Sequence, residues 1–238
     1  MSLSSVDCHH NLQYSCSKTG IQMKKKTLLC ATLLALTLSG CESIYYSTME
    51  KVGVYKRDIL IDRVEDTKDS QQESQEEFQS ALEGLTILID FKGGELEDVY
   101  NALNDDYQSS LKAANEVSAN INKVEEVADA LFDEWDDELD EYKSASLKRQ
   151  SSQKLAETQR QFSTLLRSMR SAESKMDPVL SSLNDNVLYL KHNLNAQAVS
   201  AIKGEFTNLK RDIQQLMSDM NKSIAESNKF IEQMHSAN

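Results

Sequence analysis

The side chain with the best-defined chemistry in this chain is the thiol of Cys41. It closes the run Leu38-Ser39-Gly40-Cys41, which follows three lysines (Lys24, Lys25, Lys26) and an apolar stretch over residues 27–37. A cationic start, a short apolar core and small residues at the cut site make up a secretory signal. The small side chains at Ser39 and Gly40 matter because a peptidase must take extended backbone into a narrow cleft. The expected reaction is alkylation of the Cys41 sulfur by a diacylglycerol, followed by cleavage that leaves Cys41 as the first residue. The apolar core falls well short of the roughly 20 residues that a spanning helix needs.

Residues 1–22 are unusual in front of such a signal, because they are polar and have neither cationic nor apolar character. Met23, directly before the lysines, reads as the translation start, with 1–22 an upstream extension and 23–40 the signal. Cys8, His9, His10 and Cys16 are metal-ligating residue types, but their spacing matches no zinc module.

Three other clusters invite a chemical reading. Lys56, Arg57, Asp58, Asp62 and Arg63 place opposite charges within two helical turns, with Asp58 and Asp62 on one face. They are a candidate partner-binding patch or headgroup collar, against the plainer alternative of exposed ion pairs contributing roughly 0.2–1 kcal/mol each. Residues 133–141 hold seven acids in nine residues around Trp135. A straight helix points neighbouring carboxylates apart and the looped glycine of a calcium motif is missing, so a solvated acidic face is expected and no metal. Lys191, His192, Asn193 and Asn195 form the densest polar cluster near the C-terminus. His192 is of a residue type suited to acid–base work, but with no cysteine nearby the preferred role is helix register set by buried Asn193 and Asn195 hydrogen bonds. No phosphate-binding loop ending in Gly-Lys-Ser/Thr occurs, nor a Gly-x-Ser-x-Gly elbow. No catalytic residues and no cofactor are assigned, and the expectation is a protein that is not an enzyme.

Charge narrows the partners. Residues 1–40 contain four of the 26 basic and one of the 38 acidic residues, which leaves 22 and 37, a net charge of −15, for residues 41–238. Such a balance repels nucleic acid and offers no basic face to anionic lipid headgroups. Attachment to a membrane is expected through lipid on Cys41, since several acyl chains hold far more firmly than one. Cys41 is also the only cysteine left after cleavage, so no disulfide forms within one mature chain and packing must supply the stability.

The elements that carry these residues read as helices. After Cys41 the chain has only Gly53, Gly84, Gly93, Gly94, Gly204 and Pro178 as breakers, with none over 95–177. Good helix formers dominate and strand alternation is absent. Apolar residues recur in steps of three and four: Leu111, Ala114, Val117, Ile121, Val124, Ala128, Leu131, Trp135. The same steps run through Leu155, Thr158, Phe162, Leu165, Met169, Ala172, Met176, Val179, Leu183, and again through Phe206, Leu209, Ile213, Leu216, Met220. That spacing lays a narrow stripe along each helix, the seam of a coiled coil or slender bundle. The expected fold is all-α, an elongated antiparallel helical bundle or coiled coil of three to four long helices in one domain over 41–238. Lys92-Gly93-Gly94 is a turn, and Asp177-Pro178 reads as an N-cap with proline at the first helical position. Helices over about 44–91, 95–176 and 178–235 follow, with a further break near the serines at 144–152 as the four-helix version. Residues 65–77 contain no apolar side chain and are expected to form a solvated helix held by charge pairs, rather than a section standing away from its partner.

Two blocks carry a family resemblance. One is Tyr45-Tyr46 followed by Glu50-Lys51-Val52-Gly53-Val54-Tyr55-Lys56-Arg57-Asp58-Ile59-Leu60-Ile61-Asp62-Arg63-Val64-Glu65-Asp66. The other is Leu188-Tyr189-Leu190-Lys191-His192-Asn193-Leu194-Asn195-Ala196-Gln197-Ala198. Together they resemble the bacterial family called domain of unknown function 2959. The resemblance implies a lipoprotein-like, helical protein of Gram-negative proteobacteria and brings no activity with it. The expected role is a non-enzymatic scaffold or partner-binding protein, lipid-anchored in the cell envelope facing the periplasm. Glu42-Ser43 after the cysteine leans towards the outer membrane. An unidentified protein partner is expected and self-association is open. The competing readings are a module that binds a small ligand or cation between helices near Trp135 or His192, and an intracellular coiled coil that starts at Met1.

Overall fold

Five helices account for the regular structure that the computed structural model describes, which spans residues 55–236. They are α1, Lys56–Ile89; α2, Leu96–Leu139; α3, Ala145–Glu173; α4, Met176–His192; and α5, Ala196–Ser236. The all-α class read from the sequence is what is found. The expectations placed on residues 1–41, and the beginning of the first helix near residue 44, lie outside the described residues.

The breaks differ from expectation in instructive ways. The turn after α1 falls where the glycines put it, with Gly93 and Gly94 at φ 142° and 126°, backbone that side chains beyond glycine rarely adopt. The second stretch, expected as one helix over 95–176 or as two with a break near 144–152, is α2 and α3, separated at 140–144. Asp136, Asp137 and Glu138 crowd the last turn of α2, which has no basic residue, so negative charge meets the negative end of the helix dipole. Ser144 then opens α3, its side chain accepting a hydrogen bond from the Leu147 N–H.

Asp177-Pro178 does not mark the next boundary. The chain kinks two residues earlier, at Ser174 and Lys175, and Pro178 sits in the first turn of α4, where its missing N–H is not needed. The final helix, expected over 178–235, is also two. Asn195 caps α5 by accepting from the N–H groups of Gln197 (3.0 Å) and Ala198 (3.1 Å), a standard N-cap arrangement.

Cross-helix bonds give the direction of each pair. Lys56 meets Glu134 and Ser80 meets Asp106, so α1 and α2 run antiparallel. Trp135 meets Ser151 and Arg170 meets Asn122, which does the same for α2 and α3. Phe162 packs on Phe230, with ring centroids 6.0 Å apart, and Lys175 reaches Asp219, so α3 and α4 both lie antiparallel to α5. Gln71 meets Ser223 and closes the set by pairing α5 with α1. The fold is therefore a set of four antiparallel strands of helix, the third made of α3 and α4 in succession. Its seam passes through the kink unbroken, because Met169, Ala172, Met176, Val179 and Leu183 are all buried.

The polar stretch of α1 is where packing and expectation part most. Leu60, Val64, Thr67, Gln71, Ser74, Phe78, Ala81, Leu85 and Leu88 are all buried, and they are separated by alternating steps of four and three. The seam thus runs straight through 65–77, with polar residues at its core positions. Charged neighbours such as Glu65, Asp66, Asp69 and Glu73 face solvent. A solvated helix describes the outer face of this stretch only.

Candidate functional site

Lys56 opens α1 and bonds Glu134 near the end of α2 at 2.8 Å, with its side chain only 11% exposed. Arg63 pairs along its own helix with Asp66 at 2.8 Å. Asp58 and Asp62 are exposed, while Arg57 is half-buried. The predicted charge patch therefore divides: Lys56 fastens α1 to α2, and what remains for a partner is the outer row Asp58, Asp62 and Arg63. Cys41 with Leu38, Ser39 and Gly40 lies outside the described residues.

The acidic run around Trp135 is tied to its surroundings at three points. Glu134 takes Lys56, Asp140 takes Lys148 at 2.8 Å, and the Trp135 indole N–H donates to Ser151 at 2.8 Å. The Lys148 ammonium holds the Asp140 carboxyl below its ordinary value. One turn further back Asp129 is pushed up, by partial burial first and then by Glu125 and Asp133. Among the described residues no group of three or more His, Cys, Asp or Glu side chains is arranged to hold a metal ion.

Lys191, His192, Asn193 and Asn195 come together at the α4–α5 junction, at the surface. Lys191, His192 and Asn195 are exposed. The Asn193 amide donates to the Tyr189 carbonyl at 2.9 Å and Asn195 caps α5. Their hydrogen bonds go to local backbone, so a buried register role does not fit this placement. Asparagine's preference for helix caps was the signal that would have placed the break here.

The sequence also gave no sign of two hubs that hold the helices. Asp219, buried on α5, accepts from Lys175 at the α3–α4 kink, from Lys222 at 2.8 Å and from Gln215 at 3.2 Å. Those bonds, Lys175 first and Lys222 second, pull its carboxyl down to about 2. Arg170 on α3 joins Glu173 on its own helix to Asn122 and Glu125 on α2. The bonds that cross between helices, Lys175 to Asp219 and Arg170 to Asn122 and Glu125, join residues far apart in the chain and leave no local spacing to read.

A further feature concerns the exterior. Among the described residues, the exposed large apolar ones are Tyr55, Ile87, Tyr142, Leu147, Leu188, Tyr189 and Leu194. Every one lies within about one turn of a helix end, and the long sides between are polar. Three of them, Leu188, Tyr189 and Leu194, sit with Lys191 and His192 around the α4–α5 junction. No described helix is long and apolar enough to cross a membrane.

The arrangement defines a class: an all-α protein of antiparallel, heptad-seamed helices, whose polar clusters act as struts between helices. The chain belongs to the family described as protein of unknown function (DUF2959), whose model matches residues 45–234. No curated protein matches it.

Proposed function

We propose that this protein is a lipid-anchored scaffold of the bacterial cell envelope, held by acyl chains on Cys41 and working through its helical body as a spacer or partner-binding surface, without catalysis. The observation that carries the reading is Leu38-Ser39-Gly40-Cys41 behind a cationic start and a short apolar core. Two features of the body agree with it. Three ion pairs, Lys56–Glu134, Arg170–Glu125 and Lys175–Asp219, brace its helices against one another, and its exposed large apolar side chains, among the described residues, gather at helix ends, where a partner would find contact area. An acidic chain of this kind gains membrane attachment from its lipid rather than from its surface.

Mass spectrometry of the protein isolated from its own cells tests the anchor. The expected N-terminus is Cys41 carrying diacylglycerol, and Cys41→Ala should move the protein from the membrane to the soluble fraction. An intact segment 1–40 on unacylated protein would overturn the reading.

A further inference from the structure

We propose that the polar section of the α1–α5 seam is a register lock, which admits one axial alignment of α1 against α5 and rejects the alignments one heptad away. The seam positions of α1 recur in steps of four and three from Leu60 to Leu88. Those of α5 do the same through Leu209, Ile213, Leu216, Met220, Ser223, Ser227, Phe230 and Met234, all buried. Two such stripes remain matched as apolar surfaces when one slides by seven residues, about 10 Å along the axis. Apolar spacing therefore leaves the alignment undecided. The turn at 90–95 does not decide it either, since unwinding two turns of helix beside Gly93-Gly94 would supply the length.

The polar residues do decide it. Gln71 and Ser223 are both fully buried, and the Gln71 amide N–H donates to the Ser223 hydroxyl at 3.0 Å. A second bond, from the Gln75 amide to the Met217 carbonyl at 3.0 Å, fixes the same antiparallel alignment. Sliding α1 one heptad one way sets Gln71 opposite Leu216 and Ser223 opposite Val64, and the other way sets Gln71 opposite Phe230 and Ser223 opposite Phe78. All four are buried and apolar, so the amide would lose its partner across the seam at a fully buried position. Leaving a buried donor unpaired costs about twice the net gain of making the bond, which is why such a pair discriminates more than it stabilises. The layer carries a cost even in the native alignment. The Gln71 side-chain carbonyl and the Ser74 hydroxyl are buried with no protein partner, so the section is less stable than leucines would be and more selective.

The test compares two double variants of the full chain by thermal melting and isotope-edited NMR. Gln71→Leu with Ser223→Ala removes the lock. Its Tm should rise, amide resonances of α1 and α5 should double, and the Phe78 ring should show contacts to Leu209 as well as Leu216. Gln71→Ser with Ser223→Gln exchanges the pair across the seam and should keep one set of resonances. A single set with only the Phe78–Leu216 contact in the leucine–alanine variant would overturn the proposal, as would doubling in both variants alike.

Discussion

Asp219 is the residue on which pH acts most directly. Its carboxyl lies near 2 in the folded chain against an ordinary value of 3.8, so its contribution is fully present above about pH 4. That contribution is lost as pH falls through 2, because the folded state must then take up a proton it resists. Acid melts should show Tm dropping across this window, and Asp219→Asn should start lower and drop less steeply. Two glycines make a second residue-scale contrast. A methyl added at Gly204 meets nothing within 4 Å, so Gly204→Ala should raise stability by about 1 kcal/mol in a denaturant titration, the helix propensity difference. A methyl at Gly84 would stand 2.6 Å from an Asp106 carboxylate oxygen, and Asp106 also accepts from Ser80 at 2.8 Å. Gly84→Ala should therefore gain nothing, with the displaced carboxylate offsetting the propensity term.

At the scale of elements, helix ends carry most of what is specific to this chain. Asn195→Ala removes the cap of α5 and should cost about 1 kcal/mol, read as a lower denaturant midpoint with unchanged slope. Helix type and seam were legible because steps of three and four need only local sequence: every member of the series from Leu155 to Leu183 is buried. Boundaries were legible where a residue has one strong backbone preference, as at Gly93-Gly94. The break after α2 was legible only as an alternative, at the serines near 144–152, because the acidic end that precedes it acts through charge rather than through a breaker residue. Boundaries were missed where asparagines fit two roles, as at 193 and 195. The seam through Thr67, Gln71 and Ser74 escaped for a different reason. Hydrophobicity marks core positions only when the core is apolar, whereas the spacing 60, 64, 67, 71, 74, 78 marks them regardless of polarity.

At the scale of the whole molecule, the described helices begin and end together. Tyr55 leads into α1, α5 closes at Ser236, and the two helices run antiparallel, so both lie at one end, with the α2–α3 connection. The turn at 90–95 and the α4–α5 junction lie at the other. A short Gly-Ser insertion between Gly93 and Gly94 should change stability by less than about 1 kcal/mol, since closure entropy grows slowly with loop length. Equilibrium denaturation of the inserted chain checks this.

The same placement bears on mechanical load. A pull applied between residue 55 and residue 236 would peel the helices apart from one end, breaking a few contacts at a time. A pull between residue 55 and the α4–α5 junction would load the seams lengthwise, so that many contacts must yield at once. A tether at the N-terminal side and a load at the opposite turns is the geometry in which this protein withstands tension best.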